Sequence, residues 1–161
     1  MQLLEVIIRY NRHTLAPLLA LFLFSGEVEA GDKEDILRHM SNVYAAINAG
    51  DVDSIPFTPF TRFEIDGGLL STYSESDLIK RKEELKTAFA AGLKVNVQTV
   101  HENVEVYGTT AVLTAYEKVN MTPPGADPIN HTSRLTLVLV KEKDEWTVVH
   151  VHLSYLNPVN P

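Results

Sequence analysis

Trp146-Thr-Val-Val-His150-Val-His152-Leu-Ser154 is the stretch on which the fold turns. Its residues alternate with a period of two, the spacing of a strand whose two faces meet different surroundings. Unbroken alternation places Trp146, Val148, His150, His152 and Ser154 on one mixed face, and Val149, Val151 and Leu153 on an apolar one. A mixed face beside an apolar face predicts a sheet packed on both sides, with the mixed side nearer a pocket or polar partners.

Upstream, the same period runs through Val95, Val97 and Thr99, then Val104 and Val106, Ala111 to Val119, and Arg134 to Lys141. Gly108 marks a hairpin, Pro123-Pro124-Gly125 with Pro128 a loop, and Glu142-Lys-Asp-Glu145 a charged turn. Before Lys94 the period is helical. Ile36, Met40, Val43, Tyr44 and Ile47 form one stripe, with Asp32 as the expected N-cap and Gly50 as the stop. Asp51 to Ile55 starts a short helix limited by Pro56 and Pro59. Phe57, Phe60, Phe63 and Ile65 read as irregular or short strand around a turn at Asp66-Gly67-Gly68. Ser74 or Ser76 then caps a helix with the stripe Leu78, Leu85, Ala88 and Phe89, closed by Gly92. Helices first and long antiparallel strands afterwards predict an α+β domain whose helices cover one face of the sheet.

Composition narrows the function. The 161 residues fit one domain, and 45% hydrophobic against 22% charged residues supports a real core. A net charge of −7 argues against a nucleic-acid binder, because Lys80-Arg81-Lys82 is followed at once by Glu83 and Glu84. The absence of cysteine excludes disulfides, thiolate metal sites and cysteine nucleophiles. No phosphate-binding loop, dinucleotide fingerprint or nucleophile elbow is present.

Residues 1–30 stand apart and predict an export signal. Arg9, Arg12 and His13 lead into the apolar run Leu15 to Phe24, and Val28-Glu-Ala30 offers a small-residue cleavage pattern. The run is short for a permanent membrane span. The expected location is therefore secreted or periplasmic, with residues 31–161 as the mature domain and no stable span after signal removal. The alternatives are an upstream start codon read in error, which leaves a cytoplasmic protein, or an N-terminal helix packed on the domain.

The closing strand resembles the W-x-I-V-H-x-H-x-S strand of SnoaL-like domains and of the calmodulin-dependent kinase II association domain, within the nuclear-transport-factor-2-like superfamily. Tyr44-Ala-Ala-Ile-Asn-Ala-Gly-Asp51 resembles the family's first-helix ending. Phe60-Thr-Arg-Phe-Glu64 with Gly67-Gly68 resembles its first strand and turn, and Ala111 to Glu117 the strand after its hairpin. Together these cover roughly residues 36 to 157. The resemblance implies a cystatin-like cone: a strongly curved antiparallel sheet around N-terminal helices, a pocket at the wide end, and a homodimer formed through the sheet. It does not imply a reaction, since members include isomerases, cyclases, dehydratases and proteins without chemistry.

The candidate pocket residues are His150, His152, Trp146, Ser154, Arg134, Arg62, Tyr44 and Tyr116. The H-x-H pair would need a third ligand, from His101 or His131, to hold a metal, and no spacing demands one; no metal or cofactor is expected. The kinase association domain's arginine on the penultimate strand falls, without a gap, on Leu137 rather than Arg134. Turn length decides whether Arg134 shares a face with the histidines. Proton-transfer chemistry would need a carboxylate raised by an apolar cavity, and Asp66, Glu64 and Glu117 are the acids available.

Three functions follow as expectations. The first is a binding module for a small, partly apolar ligand. The second is a small lyase or isomerase acting next to a carbonyl, with a buried acid facing His150 or His152. The third is a dimerisation or adaptor domain.

Overall fold

The chain's computed structural model describes residues 25–65 and 69–156. The turn expected at Asp66-Gly67-Gly68 and residues 1–24 of the expected leader lie outside them. Helix α1 spans Ser25–Ala49, and a short 3-10 turn Val52–Ser54 follows. Strands β1 (Phe60–Phe63) and β2 (Leu70–Tyr73) precede helix α2 (Glu75–Ala90). The long strands β3 (Lys94–Tyr107), β4 (Thr110–Thr122), β5 (Ile129–Glu142) and β6 (Glu145–Tyr155) complete the fold.

Asp32 is not the cap of α1, because the helix runs straight through it. It lies one turn before Ile36 on the buried stripe and is itself buried. The Lys141 ammonium on β5 donates to its Oδ1 at 2.7 Å. An acid that resembles a helix start is instead a strut between helix and sheet.

Gly50 does end α1. At φ +68° it sits in the left-handed region, its N–H donating to Ile47 and the Asp51 N–H donating to Ala46. That pair of bonds closes the helix with orphan carbonyls satisfied. A Cβ at Gly50 would stand 2.9 Å from the Phe89 ring of α2, so the glycine also lets the two helices meet. Ser74 caps α2 in a reciprocal box with Asp77.

The six strands form one sheet in the order β2-β1-β6-β5-β4-β3. All pairs are antiparallel except β1 with β6, which run parallel, so the sheet is mixed at that junction. The edge strand β3 is covered in part by α1: the Asn48 amide donates to the Val97 carbonyl at 2.8 Å and accepts its N–H at 2.6 Å. The core lies between α1 and the inner face, with Ile36, Leu113 and Leu139 fully buried.

Two bulges bend the sheet. In β3 the register shifts between Val100 and Asn103, with His101 at φ +58°. In β6 consecutive β5 residues Val138 and Leu139 pair with His150 and Val148, leaving Val149 extra.

The second bulge corrects the expected faces. Crossing Val149 reverses the alternation, so Trp146 and Val148 join Val151 and Leu153 against the core. His150, His152 and Ser154 point to the opposite, outer face. The two-residue turn Lys143-Asp144, both at positive φ, would by itself set Arg134 opposite Leu153; the extra residue Val149 shifts the pairing to Ser154, so Arg134 shares that outer face. The mixed side is therefore the outer side, and the pocket is not on it.

Candidate functional site

Beneath the inner face lies a cavity of about 290 Å³. Met40, Val43 and Tyr44 of α1, Leu78 and Arg81 of α2, and Arg62 of β1 border it. Glu117, Leu135, Leu137, Trp146, Val151 and Leu153 come from the long strands. The lining is mostly aliphatic because inward positions on the strands and the α1 stripe were selected for packing. A few polar groups interrupt it, the usual make-up of a ligand pocket.

Glu117 is the most telling of these. Its cross-strand partner Ser133 is fully buried, and the carboxyl itself is largely withdrawn from water. Burial pushes its pKa up; the Arg62 charge pulls the other way, as does the Ser133 hydroxyl, which falls short of a regular hydrogen bond. Burial also raises the Tyr44 hydroxyl, with the charges of Glu117 and Glu102 adding to the effect, so Tyr44 stays protonated and can donate.

Arg62 is positioned by its neighbours. Its Nε lies 3.3 Å from Glu64 Oε2, close enough for an ion pair but not aligned for a hydrogen bond. That Nε is buried without an acceptor among the described residues. Glu64 is in turn held by the Tyr73 hydroxyl, which donates to its Oε1 at 2.6 Å, and the Arg81 guanidinium sits 5.7 Å from the Tyr73 ring. Trp146 Nε1 is likewise buried with no acceptor among the described residues. His39 borders the cavity too; burial lowers its pKa, with Glu145 opposing.

A second hollow, about 490 Å³, lies between α1 and the β3 edge, bordered by Leu37, Gln98 and Glu102. Some of its polar groups are paired locally, Thr99 donating to Glu102 at 2.7 Å and Asn48 to Val97. Among the described residues no lysine or arginine borders it, so the inner cavity, where Arg62 meets Glu117, is the candidate site.

Of the eight residues singled out from sequence, the structure brings Trp146, Arg62 and Tyr44 together in this cavity. His150, His152, Ser154, Arg134 and Tyr116 lie outside it. His150 Nδ1 is 2.7 Å from the Thr61 hydroxyl, and Phe63 meets both imidazoles edge-on at 5.6 and 5.4 Å. Arg134 donates to the Tyr155 carbonyl at 3.1 Å, and Tyr116 stands edge-on to His101. The acid expected to face His150 or His152 is inside, but it faces Arg62 and Tyr44. His39 and Arg81 were missed, since nothing in a helical pattern marks them; Glu64 was among the available acids, but its pairing with Tyr73 left no trace in the sequence. Among the described residues, no group of three or more His, Asp or Glu side chains gathers to hold a metal.

A curved sheet over a helix, with a small polar cluster in its hollow, is the architecture of an α+β cone fold. The sequence profile of the SnoaL-like domain matches residues 36–158, and the chain belongs to that family. Solved structures agree on the fold. A protein from Kribbella flavida is 16% identical with a TM-score of 0.67, covering 81% of this chain and 95% of its own. A candidate dehydratase of the NTF2-like family from Streptomyces avermitilis is 16% identical with a TM-score of 0.62, covering 81% and 99%. The calmodulin-dependent kinase II association domain of C. elegans is 21% identical with a TM-score of 0.59, covering 80% and 99%. No curated protein matches the chain.

Proposed function

We propose that the chain binds a small, partly apolar molecule in the inner cavity. The observation that carries this reading is the meeting of Arg62, Glu117 and Tyr44 at an otherwise aliphatic hollow. Nothing in packing requires a guanidinium and a carboxyl beneath a sheet, and burying them is costly unless a partner completes their bonds. A thermal-shift screen against a metabolite library tests it. The expected result is a stabilising ligand whose effect is lost in Arg62→Gln; no stabilising ligand at all overturns the reading.

A second reading, acid–base chemistry next to a carbonyl, is favoured by one feature. Glu117 has the raised pKa of a general acid or base, and Tyr44 is a protonated donor beside it. Exchange of a bound ketone's α-protons in heavy water, followed by NMR and lost in Glu117→Gln, would support a lyase or isomerase. Absence of exchange with every cavity ligand removes it.

Two further parts of the proposal rest on sequence and likeness. Export is supported by the basic, apolar and small-residue order of residues 1–30. N-terminal sequencing of the protein from its native host should begin at Gly31, and an intact leader in the cytoplasm contradicts export. A homodimer through the outer face is supported by the likeness to an association domain. Light scattering that finds a monomer contradicts it.

A further inference from the structure

The charges around Arg62 bear on what the cavity would hold. Two cations, Arg62 and Arg81, stand against two carboxylates, Glu64 and Glu117, at this end of the hollow. The free protein is therefore balanced there. Donors are left over nonetheless: Arg62 Nε and Trp146 Nε1 make no hydrogen bond among the described residues, and Tyr44 keeps its proton. A ligand that brings oxygen acceptors would meet the remaining N–H groups of Arg62 and the Tyr44 hydroxyl.

We propose that the ligand is a monocarboxylic acid with an apolar body, bound as the carboxylate on Arg62, and that Glu117 takes up one proton as it binds. This deepens the binding reading above and rests on it.

The size fits, because 290 Å³ is the space of about ten waters. The walls suit an apolar chain, since Met40, Leu135, Leu137, Val151 and Leu153 offer only carbon and sulfur. A planar guanidinium matches a carboxylate in a way that a single-point donor does not. A cationic ligand would bring no acceptor for these donors, and a phosphate dianion would bring twice the unbalanced charge. A monoanion brings one.

That added charge sets the proton step. A third carboxylate beside two cations leaves an excess negative charge in a hollow partly withdrawn from water. Glu117 is the group that yields, because Glu64 is fixed by Tyr73 and Arg62 while burial already penalises the Glu117 anion. The proton comes from solvent, and no bond other than O–H is made. The charged and titratable groups around Glu117 are Tyr44 and His39 on α1, Arg62 on β1 with Glu64 just after it, and Tyr73 on β2. Arg81 on α2, Glu102 on β3, His131 on β5 and Tyr155 on β6 complete the set. The two imidazoles of this set, His39 and His131, are substituted as controls.

Calorimetric titration with butanoate, hexanoate and octanoate, and with the matching primary amides, tests the proposal. It is run across neutral pH in two buffers of different protonation enthalpy. At least one acid should bind about tenfold or more tightly than its amide, with uptake of about one proton and an affinity that falls about tenfold per pH unit above the Glu117 pKa. Glu117→Gln should bind the acid with no such slope, while His39→Gln and His131→Gln keep it. Acids that bind no better than amides, no proton uptake, or a slope that survives in Glu117→Gln each overturn the proposal. Tight binding of amides alone does so while leaving the binding reading intact; failure of the whole metabolite library removes both.

Discussion

At the scale of single residues, Glu117 links the fold's stability to pH. Its pKa is raised in the folded chain, so the fold holds that proton more tightly than the unfolded chain does. The stability tied to it is complete below the unfolded pKa and is lost as pH rises through the folded one. Glu117→Gln should therefore raise the melting temperature at mildly alkaline pH and leave it nearly unchanged in acid. Thermal melts across that range decide the point, and an equal effect at every pH contradicts the burial of the charge. Asp32 makes a different case. Its carboxylate braces Lys141 and the head of α1, so Asp32→Ala should lower the melting temperature without touching the cavity's ligand response.

Among the elements, the bulge at Val149 governs which side of the sheet is inside. Deleting Val149 would restore unbroken alternation while keeping Trp146, Val151 and Leu153 inward, so the variant should fold. The strand would lose its bend and the hollow its shape. The expected outcome is a cooperative melt with a reduced ligand-induced shift; an undiminished shift would show that the bend is not needed. Gly50→Ala should cost about 1–3 kcal/mol in urea denaturation, from a left-handed backbone and the close Phe89 ring. These elements also mark how far the sequence could be read. Periodicity located both helices and every long strand, because buried stripes and alternating faces leave a direct trace in apolar spacing. A single extra residue leaves no such trace, since Val149 is as apolar as its neighbours. The histidines were thus assigned inward with Trp146, and Arg134 could not be placed at all. Of the site, Tyr44, Arg62 and Trp146 were legible as polar or aromatic residues on core-facing elements. Arg81 and His39 were not, because a helix turns one face to a cavity that only the assembled sheet creates.

For the whole molecule, a curved sheet over α1 both makes the core and leaves the hollow. Leu139→Ala, at a fully buried position beneath the helix, should cost about 2–5 kcal/mol and report on the shared core. The arrangement also supplies its own probe, because Trp146 is the chain's one tryptophan and borders the cavity. The most direct test is a fluorescence titration of Trp146 with any ligand that stabilises the fold. A site under the sheet predicts a saturable change in its emission with the same midpoint as the thermal stabilisation. A ligand that stabilises the fold yet leaves Trp146 unchanged, while shifting the His150 and His152 ring resonances, would place the site on the outer face and contradict it.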